Sequence, residues 1–226
     1  RYPNVRILTW KKEFNYSAIN NFAVREARGE YLLFLNNDVE IITESWLEEM
    51  LQLCQQKDVG MVGAKLYYPD DTIQHAGVVV GLGGVAAHVL CKLPRDAEGY
   101  MGRLRCVQEI SAVTAACMMV KTSVFKAVGG FDEELKVAFN DIDLCMKVRK
   151  YGVKIVFTPY AELYHYESKS RGMEDTPEKQ LRFSREVNCF RRKWERELLK
   201  GDPYYNPNLT LNNTDCSLRK QEKNGD

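Results

Sequence analysis

The chain has 226 residues, 45% of them hydrophobic and 28% charged, with a formal net charge of +1. That length and apolar content allow one domain with a sizeable core and exclude a disordered chain. The near-neutral balance gives no sign of the phosphate-neutralising surface of a nucleic-acid binder, and no apolar run is long enough for a membrane-spanning helix.

Strands alternate with helices along the chain, which predicts an α/β fold. Val5 to Trp10 reads as a short strand, Ser17 to Arg28 as a helix closed by Gly29, and Tyr31 to Leu35 as a buried strand. Glu44 to Lys57 is amphipathic, with Trp46, Leu47, Met50, Leu51 and Cys54 on one face, which makes Trp46 a core residue. Val59 to Ala64 is the next strand. From Tyr67 to Val107 the sequence is Gly-rich and irregular, with IQHAGVVVGLGG as a strand running into a flexible loop. Cys117 to Val120 and Val153 to Phe157 read as strands separated by a helix that starts near Asn140. Beyond Pro177, Phe183, Val187, Phe190, Trp194 and Leu198 recur at helical spacing, which predicts one long amphipathic helix followed by a polar tail from Asp202.

The cysteines, at positions 54, 91, 106, 117, 145, 189 and 216, form no CxxC pair and are odd in number. Several lie in apolar patterns, where free cysteine acts as a small hydrophobe. With no signal-peptide pattern, a reducing, cytoplasmic compartment is the simpler reading.

Two acidic motifs carry chemistry. The apolar strand YLLFL runs into Asn36, Asn37 and Asp38, which places them at the carboxyl edge of a sheet, where open α/β folds bind ligands. Asp38 there is either a hard oxygen ligand for a divalent cation or part of a strand-end turn. FNDIDLC opens a helix with Asp141 and Asp143 in its first turn. A carboxylate at that end is favoured by the helix dipole, so Asp141 reads as a base or as an ordinary helix-start aspartate.

The run from Asn15 to His165 resembles the family 2 glycosyltransferases, inverting enzymes of the GT-A fold that use nucleotide-sugar donors. The resemblance rests on four segments in the family's order: EARGEYLLFLNND, VTAACMMVKTSVFKAVGGFDEEL, FNDIDLCMKVRKYGVKIVFTP and YHYESKSRG. It implies a GT-A-like mixed-sheet sandwich over residues 1–172, a C-terminal amphipathic helix over 173–200 and a tail over 201–226. The ending GDPYYNPNLTLNNTDCSLR also resembles tails of bacterial enzymes that build surface polysaccharides, including rhamnose-containing ones. The family's opening strand and its base-holding acidic strand have no counterpart, since RYPNVRILTW corresponds to a strand roughly a third of the way into such a domain. An incomplete nucleotide-binding half, supplied by the rest of a longer polypeptide, is the expectation.

The resemblance also implies roles. Asp38 and His165 would hold Mg²⁺ or Mn²⁺ on the donor diphosphate, with Asp141 as the base. Asn37 takes the middle position of the acidic pattern, and Asn140 stands where the family usually has glutamate. Arg171, after Ser168 and Ser170, would pair with phosphate oxygens through its forked donors. Asn21, in FNYSAINNFAVREARG, would contact the donor or simply belong to a polar helix face. Thr114, Ala115 and Ala116 match a small-residue turn that leaves room for an acceptor sugar, and His75 and His88 are further candidates to line that pocket.

The implied partners are a nucleoside-diphosphate sugar and a glycan or lipid-linked glycan acceptor. The basic terminal helix, with Arg182, Arg185, Arg191, Arg192, Lys193 and Arg196, either rests on an anionic membrane at its inner face or packs its aromatic stripe on the core. Two other classes stay open: a glycan-binding or structural remnant without turnover, and a sugar nucleotidyltransferase on a related fold.

Overall fold

The computed structural model describes residues 4–167 and 176–220. Its strands are β1 (Tyr31–Leu35), β2 (Val39–Ile41), β3 (Val59–Tyr67), β4 (Ile73–His75), β5 (Val78–Val80), β6 (Ala86–His88), β7 (Gln108–Glu109), β8 (Cys117–Lys121) and β9 (Lys154–His165). Its α-helices are α1 (Tyr16–Glu26), α2 (Trp46–Cys54), α3 (Thr122–Ala127), α4 (Asn140–Tyr151), α5 (Pro177–Lys193) and α6 (Glu195–Lys200). Among the described residues no helix is long and apolar enough to cross a membrane.

Strands β1, β8, β3, β9 and β2 lie side by side in that order, with β4 joined to β3 and β7 to β9. The β3–β9 pairing is parallel, and the other pairings in this sheet are antiparallel. The result is a mixed sheet with helices on its faces: the α/β class is what the alternation predicted, and the mixed sheet is what the resemblance implied. Every residue of β3 is buried, because a strand covered on both faces cannot alternate apolar with polar. On one face Trp46, Met50 and Cys54 of α2, one helical turn apart, pack against Val62, Ala64 and Leu66. On the other, Ile142 and Cys145 of α4 share a core with Met61, Phe157, Phe190 and Trp194.

Gly63 lets the next loop close over β3. A Cβ built there would sit 2.3 Å from Val113 Cγ1, so any side chain would push away the segment leading into Thr114–Ala116.

Several elements differ from expectation. Val5–Trp10 forms no strand, since no described segment pairs with it and a lone extended segment gains no ladder bonds. Ile7 is 90% exposed, and Arg6 ties this segment to α1 through Glu26 at 2.7 Å. Helix α1 stops at Glu26, short of the expected Arg28. The Gly-rich middle is built rather than loose: β5 and β6 form a hairpin, and Ile73, Val78, Val79, Val80, Leu82 and Leu90 are buried in the main core. Gly81 and Gly84, with φ of +96° and +82°, supply the left-handed backbone of the hairpin turn.

The expected single terminal helix is interrupted at Trp194 (φ −115°, ψ 22°), whose indole N–H turns inward to donate to Asp143 at 2.8 Å. Phe190 and Trp194 are buried, and Phe139 packs between Phe183 and Phe190 with centroid distances of 5.7 and 5.4 Å. The stripe therefore packs on the core from Val187 to Leu198, while Phe183 at its start is 41% exposed. The segment expected as a polar tail also joins that core over 202–220: Tyr205, Leu209 and Cys216 are buried within it. Gly83 N–H donates to the Leu211 carbonyl at 2.8 Å and Leu90 N–H to that of Thr214 at 2.6 Å. Polar composition hid a segment that satisfies its backbone against the β5–β6 hairpin.

Candidate active site

Strands β1 and β9 end, and β8 begins, at the same edge of the sheet. There a cleft of about 500 Å³ is lined by Phe14, Tyr16, Asn36, Asn37, Asp38, Thr114, Ala115, Ala116, Val137, Asn140, Asp141, His165 and Glu167. The two acidic motifs, distant in sequence, thus meet in one place. Register makes the meeting: Val39 of β2 pairs with His165 of β9, and Tyr166 N–H donates to the Asp38 carbonyl at 2.8 Å.

His165 Nε2 lies 3.3 Å from Asp38 Oδ1, with the two side chains 11% and 12% exposed. The protonation of the ring follows from its other side. Gln74 Oε1, an acceptor, stands 2.7 Å from His165 Nδ1, and Gln74 Nε2 donates to the His165 carbonyl at 3.1 Å. The proton therefore belongs on Nδ1, which leaves a lone pair on Nε2, where Asn36 Nδ2 approaches at 3.1 Å. Asp38 Oδ1 is buried without a hydrogen-bond donor. An imidazole nitrogen and a buried carboxylate oxygen 3.3 Å apart are the donor types that hold a divalent cation. Among the described residues no cluster of three or more His, Cys, Asp or Glu side chains forms a complete cage. A hard cation here would need oxygens from its ligand as well, the usual habit of Mg²⁺.

Asp141 sits across the cleft at the start of α4. Its Oδ1 accepts from Ile142 N–H at 2.8 Å and its Oδ2 from Ala115 N–H at 3.1 Å. The small-residue turn and the carboxylate therefore hold each other in place. The turn is supported from behind: Tyr16 O–H donates to the Ala115 carbonyl at 3.2 Å, and Thr114 N–H donates to His75 Nε2 at 3.4 Å. Because His75 Nε2 accepts, its Nδ1 carries the proton and gives it to His88 Nδ1 at 3.0 Å. Both imidazoles are held neutral by burial, which pushes their pKa values below the ordinary range. They stand behind the cleft rather than lining it.

Asn37, Thr114, Ala115 and Asn140 all reach the cleft. Asn140 is nearly buried and spends its amide on the Val137 carbonyl at 2.9 Å. Asn21 does not reach it: its amide brackets Phe131, donating to the carbonyl and accepting from the N–H, both at 3.0 Å. It clamps the turn after α3 and has no donor-facing role in this arrangement. Arg171, with Ser168 and Ser170, lies outside the described residues. Asp143, the second acid of FNDIDLC, points inward to Trp194, Lys193 and Lys147.

Two contributors have no signature in the sequence. Gln74 orients His165, and Glu186 of α5 accepts from Val137 N–H at 2.9 Å and Ala138 N–H at 3.0 Å, just before Asp141. Only register and helix docking reveal them.

The sequence model of the glycosyltransferase like family matches residues 4–186. The chain is 57% identical over 215 residues to the protein y4gI of Sinorhizobium fredii, across 95% of this chain and 24% of that protein. It is 42% identical over 225 residues to the O-antigen biosynthesis protein RfbC of Myxococcus xanthus, across 99% of this chain and 17% of that protein. It thus spans 24% and 17% of these relatives' lengths. Its fold superposes on the mannosyltransferase PcManGT of Pyrobaculum calidifontis, in complex with GDP-Man and Mn²⁺, with a TM-score of 0.54 at 15% identity. That match covers 82% of this chain and 45% of the mannosyltransferase. The chain belongs to the glycosyltransferase like family and has a GT-A-like fold.

Proposed function

We propose that this chain carries out, or carries the metal-and-base end of, an inverting transfer of a sugar from a nucleoside diphosphate to a hydroxyl of a glycan or lipid-linked glycan. The observation that supports it is the convergence of Asp38, His165 and Asp141 on one cleft. Asp38 and His165 would hold Mg²⁺ or Mn²⁺, which when bound offsets negative charge on the departing diphosphate. Asp141 takes the proton of the attacking hydroxyl. Its oxygens already accept backbone N–H bonds, and a carboxylate has about four acceptor sites in all, so room remains for that hydroxyl. A proton that moves late, once the acceptor oxygen has begun to bond, needs no unusually basic carboxylate.

Ala115 and Thr114 leave space for the acceptor ring, Asn140 borders it, and Asn37 and Arg171 are assigned to the donor side. The relative named for O-antigen biosynthesis supports assembly of a surface polysaccharide as the setting. An inner membrane face, reached through a lipid-linked acceptor, belongs to the same reading.

Calorimetric titration of the chain with UDP, GDP and dTDP, with and without Mn²⁺, tests it. One nucleotide is expected to bind in a metal-dependent way, and Asp38→Ala is expected to abolish that binding. A folded chain that binds none of them would instead leave the reading of a glycan-holding remnant.

A further inference from the structure

A second cavity, of about 930 Å³, lies between β9 at Tyr160 and Glu162 and the loop bearing Arg95 and Arg105. At its wall stands Lys65, 4% exposed, in the otherwise apolar strand VGMVGAKLY. Its ammonium has three N–H donors. Among the described residues it donates to the Leu104 carbonyl at 3.2 Å and packs over the Tyr67 ring at 5.3 Å, but it forms no ion pair within 4.0 Å.

Five carboxylates line the cavity; Glu49, Asp70, Asp71 and Glu162 have side-chain hydrogen bonds elsewhere, and Asp96 stands beside Arg105, whose guanidinium donates to its backbone carbonyl at 3.0 Å. Glu162 accepts from the Tyr67 hydroxyl and from Arg95 at 3.4 Å. Asp71 accepts from Arg95 at 3.3 Å and from the Tyr164 hydroxyl. Asp70 accepts from the amide and hydroxyl of Thr72. Burial lowers the pKa of Lys65, with Glu162 opposing and Arg105 and Arg95 adding to the effect. A buried ammonium with unused donors and no paired charge is costly, and an anion would complete it. The exposed Tyr160 ring on the same cavity offers an apolar face of the kind that ligand pockets use beside a few polar groups.

We propose that this cavity is a saccharide subsite for a sugar that bears a carboxylate or a phosphate ester. Lys65 and Arg105 hold the anionic group, and Tyr160 lies against the ring. The choice of a saccharide rests on the glycosyl-transfer reading. Glu162 in this cavity and His165 in the cleft lie on one strand, about 10 Å apart at the usual rise per residue. Positions three apart on a strand face opposite sides of the sheet, so this cavity is separate from the transfer cleft.

The test is a titration of the chain with glucuronate, glucose 6-phosphate, glucose and inorganic phosphate, followed by backbone amide NMR shifts without added metal. The expected result is that at least one charged sugar shifts the Leu104 and Lys65 amides and binds at least about tenfold more tightly than glucose or inorganic phosphate. Which of the two binds separates carboxylate from phosphate ester. Lys65→Met should weaken that binding by at least about tenfold. If that variant fails to fold, Arg105→Gln, on the exposed rim, should still weaken it severalfold. Binding that survives these changes, inorganic phosphate matching the sugars, or no binding by either charged sugar would overturn the proposal. Asp38→Ala should keep charged-sugar binding while losing metal-dependent nucleotide binding, so failure here is distinguishable from failure of the transfer reading.

Discussion

Gln74 grips His165 at both ends of its amide, through the ring Nδ1–H and the backbone carbonyl. Leucine at position 74 would release both, letting the ring rotate and change tautomer. Metal-dependent nucleotide affinity of Gln74→Leu should then fall about 10–100-fold, the usual cost of losing an outer partner of a metal-binding histidine. Calorimetry against the unaltered chain measures it. A second residue-scale prediction concerns Asp143, which is fully buried and receives Trp194, Lys193 at 2.8 Å and Lys147 at 3.2 Å. Asp143→Ala should cost about 3 kcal/mol in urea denaturation, because it leaves two cations without their shared partner. That Asp38, Asp141 and His165 belong to one place was legible because the segments around them are distinctive, and the three do line one cleft. The resemblance singles out Asp141 over Asp143, and the helix puts Asp141 in the cleft while Asp143 turns into the core.

At the level of elements, α5 acts as a brace for α4. Glu186 bonds the amides of Val137 and Ala138, and Phe139 follows in a left-handed conformation (φ +62°) that sets the direction in which Asp141 leaves the loop. Removing that carboxylate takes the partner from two part-buried amides, at up to about 1 kcal/mol each. On the proposed transfer reaction, Glu186→Ala should therefore lower the turnover rate by up to about 100-fold while nucleotide affinity stays unchanged, since displacing Asp141 would affect the transferring step and not diphosphate binding. Comparing rate with affinity for the same variant checks this. Strong apolar patterns were legible: β1 has its expected bounds, α4 starts at the expected Asn140, and α2 forms inside the wider span expected from Glu44 to Lys57. Val5–Trp10 was not, because a strand depends on a neighbour as well as on its own composition. Nor was the region 202–220, whose few buried side chains are scattered among Asn, Asp and Thr.

Across the whole molecule, the neutral pair His75–His88 links stability to pH. Both histidines have folded-state pKa values below the ordinary 6.5. The unfolded chain therefore takes up protons first as pH falls, and their contribution, fully present above about pH 6.5, is lost below it. The urea midpoint should hold between pH 8 and 7 and fall below about 6.5, with a shallower fall in His88→Gln.

The long-range pairing of the sheet has a kinetic consequence. Tyr31 pairs with Lys121, Val59 with Lys154 and Val39 with His165, so large loops must close before these contacts repay their entropy. Refolding should be slow, on the order of milliseconds to seconds. Asp38 and His165 become neighbours only when β2 zips onto β9. After dilution from urea, donor-binding competence should return with the slowest structural phase, and no partly assembled species should hold a nucleotide before it.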